Sequence, residues 1–227
     1  MGEAQAPEPA TVLADGVVRF RSRMLGQNSY LLRGQSGGYW WIDPGFDAPT
    51  LEPWLHAEGM RITGVLCTHG HFDHIAGAAW CQERYEVAVF VSKADRQIAQ
   101  SSNFLLMAMK RPERLRIPHF SWMPISEDGS PWTVEPGVSV EPSPGHTPGS
   151  CVVRTAGHVF SGDTLYAGGM NYVALPGEDR PRLIESLRAL CASLDPSTMV
   201  YPGHGDHGRF ADIQLTNQEL RAALAAG

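Results

Sequence analysis

The chain has 227 residues, of which 43% are hydrophobic and 19% charged, with a formal net charge of −6. That is the balance of a soluble globular protein with room for one sizeable core. The longest basic run is Lys110-Arg111 and no apolar run approaches the roughly 20 residues of a membrane helix, so neither nucleic acid nor a membrane is an expected partner.

Residues 1–10, with Glu3, Pro7, Glu8 and Pro9, read as a disordered tail. They have neither the basic start nor the apolar run of an export signal, so the chain reads as cytoplasmic, with a single domain over 11–227. Strand-like runs follow at 17–23, 30–33 and 39–43, separated by Gly- and Asn-containing turns. A short helix is expected at 51–58, with Pro53 tolerated in its first turn. The apolar run 62–67 reads as a buried strand, 77–85 as a helix and 87–91 as another strand, which makes an α/β unit. Residues 93–109 look helical. The stretch 103–122, within an insert at about 100–124, has two readings. Its first part is apolar without a polar outer side, and its second mixes aromatic and basic residues. It is either a substrate-facing flap or a helix buried between neighbours or at a homodimer contact.

In the second half, 138–141, 151–155 and 158–161 read as strands broken by Pro142, Pro144, Gly145, Pro148 and Gly149. Helix 182–194 places Leu183, Leu187, Leu190 and Leu194 on one face. A last strand at 199–201 and a helix at 210–225 close the chain. Both halves run strands first and helices after, which suits two packed sheets with helices outside. Cys67, Cys81, Cys151 and Cys191 lie in apolar stretches without C-x-x-C pairing and read as small buried hydrophobes.

His69, His71, Asp73 and His74 stand within six residues of one another, directly after the apolar strand 62–67. Imidazole and carboxylate are donors for zinc, iron or manganese, and a strand end holds them on a rigid element. His146 sits in a loop rich in Gly and Pro, while Asp163 and His204 each close an apolar strand. Alone, any of these three is more often a structural residue; with the first cluster, they read as metal ligands. His56 and His158 read as solvated; His207 is near enough to His204 to support it, but reads more readily as standing outside the site.

The segments Thr68-His69-Gly70-His71-Phe72-Asp73-His74, Pro144-Gly145-His146-Thr147-Pro148-Gly149, Ser161-Gly162-Asp163-Thr164 and Pro202-Gly203-His204 resemble, in order, the motifs of the metallo-β-lactamase superfamily. The likeness is nearest to the glyoxalase-II-like hydrolases. It implies an αβ/βα sandwich with two divalent ions, zinc first, with iron or manganese as alternatives. His69, His71 and His146 would hold one ion and Asp73, His74 and His204 the other, with Asp163 bridging. The implied reaction is hydrolysis by hydroxide generated at the metals, with Asp73 relaying a proton. The substrate would be a small-molecule or carrier-bound acyl thioester. Tyr166 matches a tyrosine of the superfamily's lactonases, which makes a lactonase or other ester or amide hydrolase the runner-up. A mononuclear-iron enzyme like the persulfide dioxygenases is a third reading. Gly169-Met170-Asn171-Tyr172 departs from the arginine-containing stretch of the glutathione-dependent relatives, and a chain ending at Gly227 leaves no room for their helical glutathione-binding domain. Both departures argue against glutathione as the thiol.

Overall fold

The computed structural model describes residues 10–13, 16–125, 129–170, 175 and 177–225. The expected tail at 1–10 therefore falls, apart from Ala10, outside the described residues. Their strands and helices run β1 (Thr11–Val12), β2 (Val17–Arg21), β3 (Asn28–Arg33), β4 (Tyr39–Ile42), α1 (Glu52–Ala57), β5 (Ile62–Leu66), α2 (Phe72–Ile75) and α3 (Ala78–Tyr85). Next come β6 (Val89–Val91), α4 (Arg96–Gln100), α5 (Ser102–Ala108), β7 (Phe120–Trp122), β8 (Trp132–Glu135), β9 (Val138–Pro142) and β10 (Cys151–Thr155). The chain closes with β11 (His158–Gly162), α6 (Arg180–Ser193), β12 (Met199–Pro202), β13 (Gly208–Arg209), α7 (Phe210–Thr216) and α8 (Gln218–Ala225).

The backbone forms two compact units. One comprises residues 1–67, 71–90 and 99–121, and the other 68–70, 91–98 and 122–227. The first carries a seven-stranded sheet in sequential order β1 to β7. Strands β1 to β4 form an antiparallel meander, and β5 and β6 then add in parallel. Because β4 and β5 are parallel, with Ile42 beside Leu66, both end at the same sheet edge. The Asp43 N–H donates to the Leu66 carbonyl there, at 3.0 Å. Asp43 thus lies beside the segment that leads into His71.

The second unit repeats the logic. Its six-stranded sheet has the order β13-β12-β11-β10-β9-β8. β8 to β11 are antiparallel neighbours, and β12 joins β11 in parallel after the crossover through α6. The registers set Cys151 beside Pro142 and Gly162 beside Pro202. The end of β9, the start of β10 and the ends of β11 and β12 consequently share one edge. The loop bearing His146, the residue Asp163 and the residue His204 all emerge there. The Cys151 N–H donates to the Thr68 carbonyl at 2.9 Å, bringing the start of the first motif to the same edge.

Helix α6 buries Leu183, Leu187 and Leu190, with Leu194 just beyond it, against Val152, Val159, Val200 and Phe210, which is the face expected from its leucine spacing. Its N-cap Asp179 accepts the Arg182 N–H, and Pro181 occupies the first turn, where a missing N–H costs nothing. The Asp179 N–H donates to the Gly145 carbonyl at 2.7 Å, and the Ser186 hydroxyl donates to the Pro144 carbonyl at 2.6 Å. The helix therefore anchors the His146 loop.

Three expectations need correction. The helix expected over 93–109 is a 3-10 turn, Lys93–Asp95, followed by the separate helices α4 and α5. The closing helix expected over 210–225 divides at Asn217, whose Oδ1 accepts the Leu220 N–H and whose Nδ2 donates to the carbonyls of Tyr166 and Gly169. In the stretch 103–122, α5 buries Ser102 and Leu106 but leaves Phe104 67% and Met107 54% exposed, so it is not a helix enclosed by its own chain. Asn103 of α5 and Leu115 of the following loop are joined by reciprocal side-chain-to-backbone bonds.

Gly145 has φ +137°, and a Cβ on it would overlap the Leu183 backbone. Gly145→Ala should cost about 1–3 kcal/mol, the scale of a strained backbone forced against packing. The check is a lower urea midpoint at unchanged slope; an unchanged midpoint would refute the close approach.

Candidate metal centre

In the second unit four of the expected residues lie together at the shared edge. Asp163 Oδ2 is 3.5 Å from His146 Nε2 and 3.6 Å from His204 Nε2, so one carboxylate oxygen faces two imidazoles. The His69 and His146 rings meet edge to face with centroids 4.9 Å apart. Ligand atoms of His69 lie within 4.8 Å of those of His146 and of Asp163. His69 Nδ1 is 3.1 Å from the Thr68 hydroxyl, which makes Nε2 the nitrogen placed to act as donor. His69, His146 and Asp163 are buried.

In the first unit His71 is the extended N-cap residue of α2, and that helix carries Asp73 and His74 in its single turn. All three are buried. His74 Nδ1 donates to Asp43 Oδ2 at 2.9 Å, which turns Nε2 to the opposite side of the ring, where Asp73 Oδ2 lies 3.8 Å away. Metal-binding histidines commonly have this carboxylate behind them, because it sets the tautomer and the ring plane.

Asp43 was not anticipated from the sequence as part of the site. It has φ +51°, a left-handed conformation rare in a residue with a side chain. Its carbonyl accepts the Ser29 hydroxyl at 2.5 Å and Gln27 Nε2 at 3.0 Å. The Ser29 oxygen in turn accepts Trp41 Nε1–H and the Gly45 N–H, at 3.2 and 3.3 Å. The sequence signal was Asp43-Pro44-Gly45 at the end of an apolar strand, the pattern that already singled out Asp163 and His204.

Tyr166 is 7% exposed, in a turn whose backbone Asn217 holds by its bond to the Tyr166 carbonyl. His158, expected to be solvated, is also only 7% exposed, with its ring 5.7 Å from that of Tyr201. The His207 ring is also stacked against Tyr201, with centroids 5.6 Å apart. His56 is exposed, as expected. Cys67, Cys81 and Cys151 are buried free thiols and Cys191 is half-buried. Burial pushes the Cys81 thiol up, and that of Cys191 up to about 11, so neither is poised as a thiolate.

His69, His146, Asp163 and His204 in one unit, and His71, Asp73 and His74 in the other, are imidazole and carboxylate groups of the kind that bind transition metals, and all but His204 are buried. The sequence profile of the metallo-beta-lactamase superfamily matches residues 23–204. The chain belongs to that superfamily and has its fold. It is 26% identical over 165 residues to the "Probable polyketide biosynthesis zinc-dependent hydrolase BaeB" of Bacillus velezensis, covering 72% of this chain and 65% of that protein. It is 30% identical over 172 residues to a hydroxyacylglutathione hydrolase of Halorhodospira halophila, covering 73% of this chain and 53% of that one. These two alignments thus span about half to two thirds of the relatives' lengths. Among solved structures, TTHA1623 in a di-iron-bound form superposes with a TM-score of 0.78 at 30% identity, over 87% of this chain and 97% of that one.

Ser29 anchors the backbone that carries Asp43. Ser29→Ala should cost about 1–3 kcal/mol for each buried donor left without its acceptor, Trp41 Nε1–H and the Gly45 N–H. Denaturant titration of the metal-free protein measures this, and a loss under 0.5 kcal/mol, the level of a neutral substitution, would show the network to be dispensable.

Proposed function

We propose that the protein is a dinuclear metallohydrolase acting on an acyl thioester. His69, His71 and His146 would hold one divalent ion and Asp73, His74 and His204 the other, with Asp163 shared between them. The observation that carries this reading is Asp163 Oδ2 set between the Nε2 atoms of His146 and His204, as a bridging carboxylate would be. Within each unit the donors gather as this reading needs: His69 with His146 and with Asp163 in one, and Asp73 with His74 in the other. Three protein donors are what a catalytic zinc takes while keeping a position open. The family match at 23–204 includes all seven residues.

Divalent ions bound there would lower the pKa of a water towards 7 and polarise a carbonyl. The protein's own groups supply the rest. Asp43 bonds the His74 ring, and Asp73, whose carboxylate is 3.8 Å from His74 Nε2, would orient the attacking water and take its proton. The likeness to a hydroxyacylglutathione hydrolase supports a thioester, and the departure at Gly169-Met170 favours a thiol part other than glutathione. Asn171 and Tyr172 of that stretch lie outside the described residues. The exposed Phe104 and Met107 on α5 suit an apolar acyl group.

Elemental analysis should find two transition-metal ions per chain, zinc foremost. Asp163→Ala should lower the occupancy of both, and His204→Ala should empty mainly one. A single iron with no second ion would sink the dinuclear reading in favour of the dioxygenase one.

A panel of thioesters and lactones, assayed on metal-replete protein, tests the substrate. Thioesters should be cleaved, and Asp73→Asn should reduce turnover beyond its loss of metal. The double substitution Phe104→Ala and Met107→Ala should raise KM for long acyl chains more than for short ones. If only lactones are cleaved, the runner-up takes over; Tyr166→Phe should then lower kcat more than it raises KM.

A further inference from the structure

We propose that Asp95 is a positioning residue for the metal centre, a buried carboxylate that ties the turn after His69 to the loop carrying His146. The inference rests on the dinuclear reading above. Asp95 is 0% exposed and ends the 3-10 turn between β6 and α4. Its Oδ2 accepts the Gly70 N–H at 2.8 Å and the Thr147 hydroxyl at 2.7 Å. Its Oδ1 accepts the Gly149 N–H at 2.6 Å. Gly70 adjoins His69, and Thr147 follows His146, so this one carboxylate bonds to both ligand-bearing segments.

A carboxylate without exposure is costly unless donors meet it. Burial pushes the Asp95 carboxyl above its ordinary value, against the opposing pull of Thr147, Gly70, Gly149 and the charge of His146. Two of the three donors are backbone N–H groups, so the bonds fix the main chain itself and not a side chain that could swing. Nothing but glycine suits position 149, because a Cβ there would lie 2.6 Å from the Asp95 carboxylate. The far side of the loop is closed by Ser150, whose hydroxyl oxygen accepts the Thr147 N–H at 3.0 Å and lies 2.8 Å from Thr147 Oγ1.

Metal coordination tolerates donor displacements of only about 0.2 Å. The separation of the His69 and His146 backbones is therefore a property the centre depends on, and Asp95 is bonded to both sides of it. No hydrogen bond among those described joins Asp95 to Asp73, His74 or His204. Its influence should fall on the ion held by His69, His71 and His146. A carboxylate that served only the fold would lower stability without distinguishing the two ions.

Asp95→Asn keeps the shape but replaces one acceptor by an amide N–H₂, so one backbone N–H, that of Gly70 or of Gly149, must face another donor. The experiment is chelator competition on the zinc-loaded full chain, resolving the two dissociation steps, alongside the thermal midpoint of the metal-free protein. His204→Ala, which empties the other site, assigns the steps. One ion should bind 10–100-fold more weakly in Asp95→Asn, with the other unchanged. Thr147→Val should shift the same step in the same direction, and Thr147→Ser should restore it. If Asp95→Asn does not fold, Thr147→Val decides alone. Unchanged affinities, or equal weakening of both ions with a lowered metal-free midpoint, would overturn the proposal. A wild-type chain that binds two ions while both variants match it sinks this inference only. A wild-type chain that binds none sinks the metal reading and this inference with it.

Discussion

β11 and β12 run in parallel, and parallel neighbours end side by side. Asp163 and His204, more than forty residues apart in the chain, therefore emerge at one edge. The same polarity demands a crossover, and α6 supplies it. A helix that returns the chain to the start of the sheet must itself begin at the edge where β11 ended. That is why the α6 N-terminus is available to hold the Gly145 carbonyl and the Pro144 carbonyl. The His146 loop owes its place to strand direction, and its rigidity to the helix.

The first unit solves the same problem with the same device. β4 and β5 are parallel, so Asp43 and the segment leading to His74 share an edge, and a single carboxylate–imidazole bond joins them. Asp43 and Asp95 are both buried acids with their charges met by directed donors, and each reaches a residue on or beside a candidate ligand. They differ in what they hold. Asp43 orients a ring, whereas Asp95 binds main-chain N–H groups. Buried polar groups of this kind are costly when half satisfied, and the Asp95 carboxyl meets three donors.

Asn217 shows how tertiary bonds reshape a local preference. The run 210–225 has the composition of one helix, yet the Asn217 side chain caps the second half and reaches back to the turn carrying Tyr166. The helix divides at Asn217, which makes both bonds. His158 makes a similar point. Its place after Gly157 suggested a solvated turn, but strand β11 begins at that residue, and its ring packs against Tyr201.

The amino-acid sequence by itself determined the elements that repeat a simple period and the donors that cluster locally. The leucine spacing of α6, the apolar strand before His69 and the gathering of His69, His71, Asp73 and His74 are all decided within a few residues. A loop rich in Gly and Pro likewise marked His146, and closing positions of apolar strands marked Asp163 and His204, as candidates. What only the tertiary structure decided is which distant carboxylate backs which motif. Asp43 and Asp95 lie 31 and 25 residues from their respective partners His74 and Gly70. Its place at the end of an apolar strand marks Asp43 as a candidate, but nothing in the neighbours of either acid says which distant segment it meets. Pairing across such separations depends on strand order and register, which are set by the packing of whole sheets and are not encoded in any short segment.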